Sequence, residues 1–407
     1  MKTIQGGVTS PLGFKASGMH CGVRMSRRND LSLIFSSRLC EAAGVFTTNK
    51  VQASCVVLNK QHLMSGKAQA IIANSGNANC MTGKQGFRHS KEIIQAAAHE
   101  LKVPSKNVLI ASTGVIGKLL PIKKILTAVP ELVENLSRNG STRAAHGIMT
   151  TDHVVKEVAA ECMIGNRPVR IGAIAKGAGM IHPEMALSGG KHATMLCFVT
   201  TDAAIGQSAL RSALNAAVQA SFNLITIDRD MSTNDMVLVL ANGAARNASV
   251  EEGTKNFKKF VATLSSLFLT LAKLMVRDAE GATKFVEIMV RNAGSAEDAR
   301  KVARSVASSN LLKCALFGSD PNWGRIAAAA GSAAANVDPW KMKIYIGSIL
   351  VVKNGGGVVR DNRKLDRIFS RKNIRIVVDL GVGSSSATAY TCDLSTEYVR
   401  FNSAYKT

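Results

Sequence analysis

The feature that constrains this fold most is an alternation, sustained along the chain, of short apolar runs with amphipathic segments of helical period. Gln69–Ala73, Asn107–Ala111, Thr194–Thr200, Met236–Ala241, Phe285–Arg291, Met342–Ile346, Ile374–Asp379 and Ala387–Cys392 read as strands. Arg88–Leu101, Ile122–Leu136, Gln207–Ser221, Asn256–Arg277 and Ala296–Ser308 read as helices. Val154–Met163 and Val169–Ala175 read as a strand pair joined by the turn Ile164-Gly-Asn-Arg-Pro168. Such alternation predicts an α/β protein. At 407 residues the chain is long enough for two or three domains, and no repeat of fixed period or low-complexity linker interrupts it.

Composition narrows the function classes. Apolar residues make up 46% of the chain, which suits a globular protein. The longest apolar stretch, Phe260–Met275, contains Thr, Ser and Lys273 and is short for a bilayer span, so no membrane segment is expected. The N-terminus, Met-Lys-Thr-Ile-Gln-Gly-Gly-Val, has no apolar signal core, and a cytoplasmic protein is expected. Eight scattered cysteines without Cys-x-x-Cys or metal spacing predict reduced thiols and no metal site. The net charge of +23 raises the question of nucleic acid. Its basic residues are spread along the chain, however, and aromatics are 5%, too few for stacking platforms. No nucleic-acid partner is expected, and the charge reads as surface bias or as a steering field for anionic substrates.

Several glycine-bearing loops fall at strand ends, where α/β sheets place their sites. Asn74-Ser-Gly-Asn-Ala-Asn79 is one, and Ser112-Thr-Gly-Val-Ile-Gly117 is another. The second offers backbone N–H groups in a tight turn, as an oxyanion hole requires. Neither has Walker spacing, and Gly177/Gly179 lacks the third glycine of a dinucleotide fingerprint, so no nucleotide cofactor is supported. Arg277-Asp-Ala-Glu-Gly281 puts two acids and a base at a helix end, and Ser319-Asp-Pro-Asn-Trp-Gly-Arg325 places Trp323 in a turn. The charge run Arg360–Arg371 reads as a solvated helix or loop. Thr194 begins an apolar strand just after Ala193 and a glycine-rich turn. If the bond before it were cut, one residue would carry both a hydroxyl nucleophile and an α-amine able to act as its base near neutral pH. The alternative reading is a residue that merely starts a buried strand.

The order of these segments resembles that of the ornithine acetyltransferases, or glutamate N-acetyltransferases, of arginine biosynthesis. The resemblance runs from Gly7-Val-Thr-Ser-Pro-Leu-Gly-Phe14 to Thr407. It includes Ala43–Asn49, Asn74–Asn79, Ser112–Gly117, Met149-Thr-Thr-Asp152, Lys176-Gly-Ala-Gly-Met180, Ser232-Thr-Asn-Asp-Met236, Asp278–Lys284 and Asp320–Arg325. It implies a two-domain layered α/β fold of that family's type. It also implies self-cleavage between Ala193 and Thr194 into an α chain (1–193) and a β chain (194–407), with about 285–407 a smaller α/β subdomain. The implied roles are Thr194 as nucleophile, Thr113 and Gly114 as oxyanion hole, and Thr150, Lys176, Thr194, Glu280, Asn402 and Thr407 as substrate contacts. Lys176 suits an anionic group and Glu280 a cationic one. The implied reaction is ping-pong: N2-acetylornithine acetylates Thr194, ornithine leaves, and glutamate accepts the acetyl group. No cofactor or metal is implied, the implied assembly is an α2β2 heterotetramer, and the use of acetyl-CoA as a second donor stays open.

Three departures from the family pattern stand out. Seven residues, Leu187-Ser-Gly-Gly-Lys-His-Ala193, separate Pro183-Glu-Met-Ala186 from Thr194, and a longer turn can relax the strain and positioning that drive cleavage. Arg229 and Met231 stand where glycine and threonine are typical, and Cys80-Met81 alters the loop after Asn79. Two other functions are compatible with these residues: a maturation-impaired, non-catalytic homologue, and a self-processing aminopeptidase or amidase using water as acceptor.

Overall fold

The computed structural model describes residues 1–183, 185, 195–358 and 363–404. Ala193, Thr194, the segment 187–193 and Thr407 therefore lie outside the described residues. The chain forms two compact units: Met1–Asn223 with Asp230–Ala272, and Leu224–Arg229 with Lys273–Lys406.

The first unit is built on one mixed sheet of nine strands among the described residues: β1 (Lys2–Ile4), β2 (Phe14–Met19), β3 (Leu31–Phe46), β4 (Lys67–Asn77), β5 (Val108–Val115), β6 (Lys156–Ile164), β7 (Arg167–Lys176), β8 (Leu196–Thr201) and β9 (Met236–Ala241). Their spatial order is β1-β6-β7-β8-β9-β3-β4-β5, with β2 paired to β3. The helices are α1 (Ser54–His62), α2 (Gly83–Leu101), α3 (Ile122–Glu134), α4 (Ser141–Ile148), α5 (Gln207–Gln219) and most of α6 (Lys255–Arg277). Every residue of β8 and β9 is buried, which fits their unbroken apolar runs and central place. β6 and β7 form a hairpin with Gly165 and Asn166 at its tip, Gly165 at φ +58°.

β3 shapes this unit. It is 16 residues long and serves different neighbours at its two ends: Leu31–Phe35 pair with β4, and Glu41–Phe46 pair with β9. Between them the ladder to β4 breaks at Phe35/Cys40, and such irregularities bend a strand. The sheet turns on itself there. Ile71, Leu109 and Ile110 from one limb and Ile174, Phe198 and Leu238 from the other share a single apolar core. The same fold brings the C-terminal ends of β5 and β7 face to face.

α6 runs for 23 residues and is long and apolar enough to cross a membrane by length and composition. Phe260, Leu264, Phe268 and Leu271 are nevertheless fully buried within the protein, as in a core helix, and Phe268 packs on Phe222 with ring centroids 5.0 Å apart.

The second unit holds a sheet of six strands among the described residues: β10 (Phe285–Ala293), β11 (Lys343–Ile346), β12 (Ile349–Lys353), β13 (Gly356–Gly357), β14 (Asn373–Asp379) and β15 (Ser385–Cys392), ordered β13-β12-β11-β14-β10-β15. Its helices are α7 (Ala296–Ala307), α8 (Asn310–Phe317), α9 (Trp323–Gly331), α10 (Arg363–Phe369) and α11 (Thr396–Ala404). A separate core, centred on Val286, Ile288, Val302, Ile344 and Ile376, holds it together. Within the charge run Arg360–Arg371, Arg363–Phe369 form α10, a largely solvated helix that buries Leu365 and Phe369. Trp323, expected in a turn, is instead the first residue of α9. The Asn322 side chain caps that helix by accepting from the Arg325 N–H at 3.2 Å, so the polar residues before Trp323 act as a helix start.

Candidate active site

The loop after β5 owes its shape to its glycines. β4 and β5 run parallel, and Gly76 pairs with Gly114 where the ladder slips. Gly114 has φ +130°, and a Cβ there would overlap the backbone of Gly76 and Asn77. Only glycine fits, because a side chain would force the two strand ends apart. Asn77 holds the next turn by donating to the Lys118 and Leu119 carbonyls at 3.1 and 3.2 Å. Asn234 ties the region from below, donating to the carbonyls of Ala78 and Ser112 at 2.7 and 2.8 Å. The backbone around Thr113 and Gly114 is thus held rigidly before any ligand arrives, which an oxyanion hole needs.

Opposite this loop ends β7. Lys176, its last residue and only 2% exposed, reaches across with Nζ 3.5 Å from Thr113 Oγ1. Beneath it lies Asp152, a buried carboxylate that the sequence reading quoted within Met149–Asp152 but did not single out. Asp152 Oδ1 accepts from Lys156 Nζ at 2.7 Å and from the Gly177 N–H at 2.7 Å, and Oδ2 accepts from the Thr150 N–H at 3.0 Å. Burial alone would push the Asp152 carboxyl up. The ammonium groups of Lys176 and Lys156 outweigh that and, with the hydrogen bonds from Lys156 and Gly177, hold it well below the usual carboxylate range. Lys176 thus sets an ammonium group beside the β5 loop, the kind of group that can meet an anion.

Arg24 is a second residue that sequence reasoning missed. Its guanidinium donates to the carbonyls of Met149 and Thr150 at 2.9 and 3.0 Å, fixing the loop that carries Thr150. Asp30 holds Arg24 in turn, its carboxylate accepting from the Arg24 N–H at 2.9 Å and the Cys21 N–H at 2.6 Å. In the run Arg24-Met-Ser-Arg-Arg28 nothing local distinguishes the first member.

The start of β8 is tied down in the same region. Leu196 pairs with Lys176 across the sheet, and the Met195 N–H donates to Asp235 Oδ1. Asp235 is fully buried and lies just before β9, the parallel neighbour of β8. Thr113, Gly114, Thr150 and Lys176 therefore gather in the first unit, at the strand ends that flank the start of β8. Glu280 and Asn402 belong to the second unit, where Asn402 Nδ2 donates to Glu280 Oε2 at 3.0 Å. Glu280 is buried there, in the turn that follows α6, and Ser395 Oγ closes that turn by donating to the Gly281 carbonyl at 2.6 Å. Among the described residues no cluster of three or more His, Cys, Asp or Glu side chains is placed to hold a metal ion.

Comparison with known proteins addresses the whole chain. The ArgJ family model matches residues 15–407. The chain is 44% identical over 409 residues to the arginine biosynthesis bifunctional protein ArgJ of Symbiobacterium thermophilum, with both chains covered in full. It is 42% identical over 408 residues to the protein of the same name from Listeria monocytogenes, again covering both. Among solved structures, the ornithine acetyltransferase of Mycobacterium tuberculosis, complexed with ornithine, is similar at 39% identity and a TM-score of 0.43, covering 46% of this chain and 99% of that one. From the family match along almost its entire length and from relatives this similar end to end, the chain belongs to the ArgJ family.

Proposed function

We propose that this chain moves the acetyl group of N2-acetylornithine to glutamate through an acetyl ester on Thr194, freed as an N-terminus by cleavage after Ala193. Membership of the ArgJ family makes the chain an acetyltransferase of arginine biosynthesis. The observation that carries the residue-level reading is the pairing of a preformed Thr113–Gly114 loop with the buried Lys176–Asp152 cluster. Both flank the strand that begins two positions after Thr194.

In this mechanism the Thr194 α-amine takes the proton of its own hydroxyl as Oγ attacks the acetyl carbonyl of N2-acetylornithine. Thr113 and the Gly114 N–H receive the developing oxyanion. Collapse breaks the C–N bond, the proton passes to the leaving α-amine, and ornithine departs. The α-amine of glutamate then attacks the acetyl ester through the same oxyanion site, and the proton returns to Thr194. Lys176 meets the α-carboxylate common to both substrates, with Thr150 beside it. Glu280, Asn402 and Thr407 are proposed to meet the remaining polar groups, Glu280 the ornithine ammonium. Acetyl-CoA would serve as a second donor to the same threonine.

The enzyme is proposed to work in the cytoplasm as an α2β2 assembly, without cofactor. An assay of acetyl transfer from N2-acetylornithine to glutamate, with and without acetyl-CoA, tests the reading. Release of free acetate without glutamate would instead favour an amidase, and an uncut inactive chain a maturation-impaired homologue.

A further inference from the structure

Ser75 is the third residue from the end of β4 and is fully buried, yet its hydroxyl has no hydrogen-bond partner. A hydroxyl stripped of water and left unpaired is destabilising, so such a group calls for an explanation. Its position supplies one. In the parallel β4–β5 ladder Ser75 is the partner of Thr113, one step beyond the pair Asn74 and Ser112. The side chains of Asn74 and Ser112 are bonded to each other at 2.7 Å and so share one face of the sheet. Side chains alternate along a strand, which puts Ser75 and Thr113 together on the opposite face, on neighbouring strands about 4.8 Å apart. That is the face on which Lys176 Nζ meets the Thr113 hydroxyl.

We propose that Ser75 is a further substrate-binding residue, its hydroxyl donating a hydrogen bond to the substrate carboxylate that Lys176 pairs. The inference rests on the acetyl-transfer reading above, and deepens it by assigning a second donor to the anionic subsite. Lys176 puts a cation on this face, so the group arriving beside it is anionic, and a carboxylate has a second oxygen to offer a neighbouring donor. Ser75 gains its missing partner only when substrate is bound. Because donor and acceptor substrates both carry an α-carboxylate, the contact serves both halves of the reaction.

The test is Ser75→Ala, assayed beside the wild-type enzyme for both substrates, with thermal unfolding of each protein. The expected result is a rise of about tenfold in KM for N2-acetylornithine and for glutamate, with kcat little changed, as for loss of one hydrogen bond to a charged group. Thermal stability should stay level or rise, since the variant removes an unpaired buried hydroxyl without removing a bond. A residue kept for structure would instead lower the unfolding temperature. Unchanged KM values, a fall confined to kcat, or a loss of stability in step with activity would each overturn the proposal. Inactivity of the wild-type enzyme would count against the acetyl-transfer reading, whereas an active wild type matched by Ser75→Ala would count against this inference alone.

Discussion

Asp152 is the buried carboxylate around which Lys156 and Lys176 gather. Replacing it by asparagine keeps the shape but takes a buried negative charge away from Lys156 and Lys176. Removing one partner of a buried ion pair costs about 3–5 kcal/mol, and a marked drop in unfolding temperature of Asp152→Asn should follow. The same carboxylate sets an acid limit. Its folded pKa lies below the ordinary 3.8, so its contribution is complete above that value and is lost as pH falls through the lower folded value. Unfolding followed from pH 6 downward should therefore show wild-type stability falling below pH 4 more steeply than that of Asp152→Asn. Arg229 is a different case. It sits at φ +66°, a conformation that glycine adopts freely, which explains in backbone terms why glycine is typical there. Arg229→Gly is expected to stabilise the protein by up to about 1 kcal/mol, and denaturant unfolding would show it. Lys176 and Thr113 were named in the sequence through the family resemblance, which the motifs around them carry. Asp152, Arg24 and Ser75 were not singled out, since what sets them apart is burial and partners supplied by distant segments.

Elements with a strong local period were legible, among them the four-residue strand β11, read as Met342–Ile346. Met236–Ala241 is a strand with the bounds read from its apolar run, and Asn256–Arg277 differs from α6 by one residue. The hairpin of β6 and β7 was equally readable from its turn. β3 was not, although it governs the first unit: its sixteen residues change neighbours midway, and their apolar pattern changes with them. The β4–β5 junction is the element on which the proposed oxyanion role depends. Gly114→Ala would drive a methyl group into the Gly76 backbone at a φ that alanine resists. It is expected to lower acetyl transfer on the order of a hundredfold, the usual consequence of spoiling an oxyanion donor. If Gly114→Ala transfers acetyl at the wild-type rate, the loop does not hold the oxyanion.

At the scale of the whole molecule the decisive measurement is the intact mass of purified protein. Cleavage after Ala193 predicts two fragments, 1–193 and 194–407, and a single chain for Thr194→Ala. An uncut wild type would show that the seven residues Leu187–Ala193 prevent the bond from breaking. Each of the two units has a hydrophobic core of its own. The order of the motifs, the α/β class and the family were all determined by the sequence, because residue type, local period and motif order are properties of the chain itself. Only the tertiary structure decided that β3 turns its sheet back on itself and sets Lys176 against Thr113, with Asp152 beneath and Ser75 beside them. Those contacts join residues scores of positions apart, and which of them meet depends on the packing of two sheet limbs around one core rather than on any local pattern.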